Sequence, residues 1–273
     1  SQKHAFTLRI AHVNYHLRGD ASDLDQALVE ALAARYGLPY SLFSYKPGAK
    51  TPSEERLRDV RYAFFEKLRQ QTHATSIAIA HNQDDQAETL LLRLLRGAGL
   101  SGLAAMRPKN NHIIRPLIEM SRADIETYLE EREISSRTDA SNTDPRYFRN
   151  RIRHELLPFL EENFQPQARK LLAETALLLG DDYALLETYA APFAVAKKPL
   201  GIEFSCSGLL ALPDPIIRRE LRTLLRPLLA GKNPEKNLLN EVIKSLKSNK
   251  NKTQTVTFKG LKFIRKGDTV RLL

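Results

Sequence analysis

Residues 81–97, HNQDDQAETLLLRLLRG, constrain this chain more than any other stretch, because they follow directly on the apolar run TSIAIA at 75–80. A short apolar run that opens into a helical pattern reads as a buried strand feeding a helix. At about 100° per residue, Ala87, Leu90, Leu91, Leu94 and Leu95 share one broad face, while Asp85, Glu88, Thr89 and Arg96 gather on the other. The expectation is a helix whose leucines dock on a sheet and whose acids and arginine face outward. His81, Asp84 and Asp85 then lie at a strand-to-helix junction, where open α/β sheets bind their ligands. Two acids in a first helical turn are explained by the macrodipole alone. His81, Asp85 and Glu88, however, recur at spacings of four and three, and such a cluster suits Mg²⁺, which takes a few carboxylates together with substrate phosphates.

The strand–helix unit repeats upstream. Residues 6–13 (FTLRIAHV) read as a strand, and Ser22 with Asp25 as the start of a helix that runs to a C-cap at Gly37. A second strand at 40–45 is followed by a loop marked by Pro47, Gly48 and Pro52, and then by a helix at 54–71 in which Arg58 and Arg61 share a face. Three βα units in succession argue for an α/β fold with a doubly wound, mostly parallel sheet. Downstream, 113–117 is short and extended, and Ser121 with Asp124 forms a capping-box start for a helix to about Arg132. Residues 139–158 (DASNTDPRYFRNRIRHELLP) interleave Arg146, Arg149, Arg151 and Arg153 with Tyr147 and Phe148. That composition fits a salt-bridged helix, and equally a surface for phosphates and stacked unpaired bases.

Pro158 marks the expected end of a first domain (1–158), leaving 159–273 as a helical, basic domain. Helices are expected at 165–189, 213–229 and 237–247. The alternation in 253–273 then predicts two or three short antiparallel strands. The net charge of +10 is regional, since 218–273 holds 15 Lys or Arg against 4 Asp or Glu. Clustered cations gain affinity for a polyanion by releasing its counterions, which makes Lys259, Lys262 and Lys266 candidate phosphate contacts. Cys206 is the one cysteine, so an internal disulfide framework and a cysteine-only zinc site are excluded and a reducing, cytoplasmic setting is expected. No apolar run of about 18 residues occurs, so no membrane partner is expected.

Five fragments in order, AHVNYHLRG, RDVRY, HNQDDQAETLLLRLLRGAGLSGLAAM, IRPL and the 139–158 segment, resemble the tRNA(Ile)-lysidine synthetases of the N-type ATP pyrophosphatase, or PP-loop, group. The resemblance covers roughly residues 8–158 and implies an adenine nucleotide alpha hydrolase-like catalytic domain. It also implies a ligase activity: the wobble cytidine (C34) of an isoleucine tRNA with anticodon CAU is adenylated at C2 by ATP, and the amine of free lysine displaces AMP to give lysidine. By that resemblance Asp85 and Glu88 become Mg²⁺ and lysine-positioning groups, with His81 at the cytidine or metal edge. Arg61 and Arg153 are the leading contacts to the cytidine or its phosphate, with Arg18, Arg58, Arg96 and Arg149 also on the substrate side. The implied partners are ATP, Mg²⁺, free lysine and tRNA bound by the basic 159–273 region; a homodimer is left open.

The chain departs from the group in one respect. The synthetases carry an SGGxDS phosphate loop after their first strand, and no such segment occurs in these 273 residues. Backbone N–H groups of such a loop bind pyrophosphate, and GAGLSG at 97–102 lies at the wrong end of its helix to replace it. The expectation is that an N-terminal segment bearing the first strand and loop is omitted here, and that this exact chain binds ATP poorly. Two other readings stand beside the synthetase. A tRNA 2-thiocytidine synthetase would use paired cysteines for an iron–sulfur cluster, which a lone Cys206 cannot ligate. A non-catalytic RNA-binding module would need only the basic region, and has no use for outward acids in the DDQAET helix.

Overall fold

Three strand–helix units build the first part of this computed structural model, which describes residues 6–46, 48, 52–137, 147–189, 195–198, 201–229, 234–248, 252–258 and 260–273. Arg146 and Lys259 therefore lie outside the described residues. β1 (Ile10–Asn14) leads into α1 (Asp20–Arg35), β2 (Tyr40–Ser44) into α2 (Glu54–Thr72), and β3 (Ile77–Ala78) into α3 (Gln83–Leu95). β1 and β2 pair in parallel, Ile10 opposite Tyr40 through Asn14 opposite Ser44. After the short α4 (Leu100–Leu103), β4 (Lys109–Asn110) pairs antiparallel and β3 parallel with β5 (Ile113–Ile114), giving the order β3-β5-β4. The fold is α/β, with its parallel strands joined by helical crossovers; among the described residues they lie in a two-stranded and a three-stranded sheet.

Local chemistry explains several helix starts. Ser53 caps α2 by accepting from the Arg56 N–H at 3.2 Å, and Ser121 with Asp124 closes the expected capping box on α5 (Arg122–Glu131). The start of α1 differs from expectation. Its N-cap is Gly19, because the Ser22 hydroxyl accepts from the Arg18 N–H instead and leaves no side-chain cap.

Pro158 does not end the first unit. α6 (Phe148–Arg151) continues through a π-helical turn (Ile152–Leu156) into α7 (Leu157–Asn163), with Pro158 in the first turn of α7. A proline lacks an N–H and clashes with the carbonyl four residues back; a widened turn just upstream absorbs both. Ile152 and Leu157 pack with Ala87 and Leu91 of α3 and with Ala173 of α8 (Ala168–Tyr189). That shared core keeps α7 and most of α8 with the first unit, which runs from Ser1 to Tyr183, so the division falls inside α8, well past Pro158.

The second unit, Ala184–Leu273, has more strand than expected. β6 (Val195–Lys198) and β7 (Gly201–Ser205) join β8 (Gln254–Phe258), β9 (Leu261–Lys266) and β10 (Thr269–Leu272) in an antiparallel sheet of order β6-β7-β10-β9-β8. Lys197 and Lys198 obscure the apolar alternation of β6, and Gly201 starts β7 at φ +144°, where a Cβ would lie 1.9 Å from the Leu272 carbonyl oxygen. α9 (Cys206–Leu210), α10 (Asp214–Leu228) and α11 (Lys236–Leu246) cover one sheet face, packing Leu209, Ile217, Leu221, Leu239 and Val242 against Phe204, Phe263 and Val270. The first unit holds 25 Lys or Arg and 25 Asp or Glu; the second holds 17 against 7, so the whole surplus of +10 belongs to it.

Candidate active site

α3 begins where the sequence places it, at the carboxyl end of β3. Asn82 is its N-cap: the Asn82 Oδ1 accepts from the Asp85 N–H at 3.0 Å, and Asp85 Oδ2 accepts from the Asn82 N–H at 3.2 Å. This box fixes the Asp85 carboxyl and leaves its second oxygen for Arg149 Nη2 at 2.9 Å and Arg153 Nη2 at 3.4 Å. One turn on, Glu88 is wholly buried. Its Oε1 accepts from Arg153 Nε at 2.5 Å, and its Oε2 from Arg149 Nε at 2.7 Å and Arg153 Nη2 at 3.0 Å. Arg149 and Arg153 stand one turn apart across α6 and the π turn, as Asp85 and Glu88 do on α3, so the pairs lock two against two.

The outward orientation expected for the acids is therefore overturned. Asp84, Glu88 and Thr89 are buried, while Leu94 and Leu95 are 53% and 57% exposed. Hydrophobic patterning counts a carboxylate as outward unless something neutralises it; here two guanidiniums from 61 and 65 residues downstream do so, which no local pattern records. Asp84 is likewise drawn inward, accepting from the Arg122 N–H at 3.1 Å and from Arg169 Nη1 at 2.7 Å. Between them, the fully buried Gln86 clasps the Met106 backbone through both its amide groups. The exposed Leu95 lines an apolar groove of about 390 Å³ with Phe148, Ile152 and Phe159.

His81 is the third member of the expected cluster and belongs to a different network. Its Nδ1 accepts from Arg115 Nε at 3.1 Å, while Arg115 Nη1 donates to the Arg107 carbonyl at 2.7 Å. With Nδ1 accepting, the ring proton is assigned to Nε2. Burial, then the charges of Arg115, Arg149, Arg58 and Arg61, push the imidazole down to about 4, so His81 is neutral at pH 7. Arg58 and Arg61 lie 5.4 and 5.9 Å from the Tyr62 ring. Arg61 also acts on Tyr15, whose phenol burial pushes up and Arg61 pulls back, and whose hydroxyl donates to the Leu57 carbonyl. Arg61 thus acts on groups just past the carboxyl ends of both β1 and β3, the end at which an open α/β sheet takes a ligand.

Two expected residues stand elsewhere. Arg18 pairs with Asp25 at 2.7 Å, and Arg96 is exposed at the far end of α3, about 16 Å of helix from Asp85. Two contributors were not expected. Arg115 could have been noticed as a cation buried in an apolar extended run before Pro116; Arg169 has no local signal.

Residues 1–160 match the family model described as PP-loop domain, more than half of the sequence. The chain belongs to the PP-loop family. Curated PP-loop relatives include a tRNA(Ile)-lysidine synthase of Geobacter sulfurreducens, 46% identical over 186 residues, covering 66% of this chain and 39% of that protein. Others of the same name come from Bacteroides thetaiotaomicron (38% over 176 residues; 63% and 41% covered) and Caldanaerobacter subterraneus subsp. tengcongensis (40% over 183 residues; 64% and 39%). The chain thus spans about two-fifths of the length of these relatives. Among solved structures, the U34-tRNA thiolase NcsA of Methanococcus maripaludis, with its [4Fe-4S] cluster, superposes with a TM-score of 0.50 at 16% identity. It covers 63% of this chain and 60% of that one, a likeness of fold. The PP-loop group implies ATP as a substrate.

Mg²⁺ does not fit the carboxylates as they are arranged. Each oxygen of Asp85 and Glu88 already accepts a hydrogen bond, and two guanidiniums occupy the space a dication would need. Among the described residues no group of three or more His, Cys, Asp or Glu is placed to hold a metal ion. As arranged, Asp85 and Glu88 do not form a Mg²⁺ site. No helix among the described residues is long and apolar enough to cross a membrane.

Proposed function

We propose that the chain is the catalytic and part of the RNA-binding portion of a tRNA(Ile)-lysidine synthetase. ATP adenylates the wobble cytidine of a tRNA with a CAU anticodon, and the amine of free lysine displaces AMP. The reading is carried by the convergence of Arg58, Arg61, Arg115 and Arg149 on a neutral His81 at the carboxyl end of β3. Adenylation develops negative charge on the phosphates, and preorganised guanidiniums in a partly desolvated site offset it without reorganising. A neutral imidazole with its proton on Nε2 offers a donor to a cytosine edge, and burial, helped by the nearby cations, keeps it neutral throughout the physiological range. Asp85 and Glu88 hold Arg149 and Arg153 at fixed positions through paired, partly buried salt bridges. Arg61 and Arg153 contact the cytidine or its phosphate. No step is assigned to Mg²⁺ at the two carboxylates.

Incubating the protein expressed from its gene with tRNA(Ile) transcript, ATP, Mg²⁺ and labelled lysine tests this directly. Label in the tRNA is the expected result; tight, salt-sensitive tRNA binding without label would make the chain a binding module instead. Asp85→Asn should abolish transfer and leave tRNA affinity nearly intact. Unchanged turnover in that variant would remove Asp85 from the site.

A further inference from the structure

His81 and Arg115 meet because the strands before them lie side by side. β3 and β5 pair in parallel, Ile77 opposite Ile113 and Ala78 opposite Ile114, and the Ile79 N–H donates to the Ile114 carbonyl at 3.0 Å. Residues just past the two strand ends are therefore neighbours. The Arg115 N–H donates to the Pro108 carbonyl at 2.8 Å, and its Nη1 to the Arg107 carbonyl at 2.7 Å. These two anchors leave Nε aimed at His81 Nδ1, 3.1 Å away. Only 6% of Arg115 is exposed, so the arrangement is built into the fold rather than laid over its surface.

The chemistry of the pair is one-sided. A guanidinium has five N–H donors and no acceptor, so the ring nitrogen facing it must carry a lone pair, and the imidazole proton goes to Nε2. The other tautomer would set an N–H against an N–H. Nε2 itself makes no hydrogen bond among the described residues and stays open to solvent. His81 thus presents a donor, and not an acceptor, beyond the carboxyl end of β3.

A fixed donor separates the two pyrimidines of RNA. On its Watson–Crick edge cytosine has an acceptor at N3, between O2 and the 4-amino group, whereas uracil has an N–H at N3. A donor facing that position bonds the first and collides with the second; the opposite tautomer would reverse the preference. A site built around one such hydrogen bond rejects the analogue that cannot make it, because a polar group is then left unpaired.

We propose that Arg115 is a specificity-determining positioning residue: by holding His81 Nδ1 it fixes the Nε2–H tautomer, which donates to N3 of the target cytidine and excludes uridine. The inference rests on the cytidine-directed reading above and adds to it the residue that sets base identity through the histidine.

Nitrogen NMR of the His81 ring in the parent protein at pH 7 should show Nε2 protonated and Nδ1 bare; the reverse would overturn the proposal. Lysine transfer is then compared on tRNA(Ile) transcripts carrying cytidine or 3-deazacytidine at the wobble position, the analogue having C–H in place of the N3 acceptor. For the parent, kcat/KM should fall at least about tenfold on the analogue. A transcript with uridine there should inhibit only at concentrations at least about tenfold above the KM of the cytidine transcript. In Arg115→Met, which keeps the stem and removes the donor, His81 should populate both tautomers, and both ratios should shrink at least about threefold. Arg115→Lys, which can still donate to Nδ1, should restore the Nε2–H tautomer and the parent's ratios. A merely structural arginine would lower transfer to both transcripts alike and leave the ratios unchanged, which overturns the assignment. Should Arg115→Met not fold, as judged by circular dichroism, the parent's tautomer and its 3-deazacytidine ratio still decide. Equal transfer to both transcripts by the parent removes this proposal alone; no transfer to either removes the cytidine reading and the proposal with it.

Discussion

The floor beneath α3 and the open face of the C-terminal sheet are both rich in arginine or lysine, yet they treat charge in opposite ways. On the floor, Asp85 and Glu88 meet Arg149 and Arg153 inside the protein, and the first unit as a whole is balanced at 25 against 25. On the sheet face that α9, α10 and α11 leave uncovered, Lys198, Lys262, Lys266 and Arg271 stand in solvent with one acid, Glu203, between them. Buried charges must be paired, because leaving one unpaired costs far more than a surface pair ever contributes. Exposed charges need no partner to be tolerated. The first arrangement fixes geometry; the second fixes none.

The buried pairing is most exposed to disruption at Glu88. Glu88→Ala leaves two guanidiniums facing each other beside a single Asp85, and should lower stability by about 3–5 kcal/mol, read as a fall in the urea midpoint. A loss under about 1 kcal/mol would mean that water or another carboxylate takes its place, and that the floor is not a closed network. The next effect is in pH. His81 has its folded value near 4 against 6.5 in the unfolded chain, so the unfolded state binds more protons between those limits. Its contribution is complete above about pH 6.5 and is lost as pH falls toward 4. An NMR titration of the ring should show a midpoint near 4, and His81→Gln should flatten the stability profile in that window; a midpoint above 6 would mean that the imidazole is open to solvent.

At the sheet face the effects on folding should be small. Arg271→Ala breaks a surface pair with Glu203 and should cost under about 1 kcal/mol by thermal unfolding, with that loss shrinking further in 0.5 M salt. A cost near that of Glu88→Ala would mean that the Arg271–Glu203 pair is structural rather than a surface contact. Arg96→Ala, exposed at the end of α3 and away from the floor, should change stability by no more than about 0.5 kcal/mol and leave lysine transfer intact. Loss of transfer would return Arg96 to the substrate side.

Much of this was legible from local pattern. The three βα units, the Ser121–Asp124 capping box and the C-terminal strands follow from periodicity and cap chemistry acting within a few residues. What misled was the assumption that carboxylates point outward and that proline ends a domain. Glu88 is buried because Arg149 and Arg153 arrive from 61 and 65 residues away, and the chain passes Pro158 because a π turn relieves its clash. β6 and β7 escaped notice because lysines interrupt one and a glycine opens the other.

The sequence by itself determined the elements, the position of His81, Asp84 and Asp85 at a strand's carboxyl end, and the location of the basic surplus. Those are properties of neighbours along the chain and of simple counting. Tertiary structure alone decided which charges meet: that Arg115 rather than an aspartate holds His81, that Arg169 holds Asp84, and that Lys198 lies on the same face as Lys262. Ion pairing and strand register join residues tens of positions apart, and a side chain's charge is priced by burial, which only the folded chain sets.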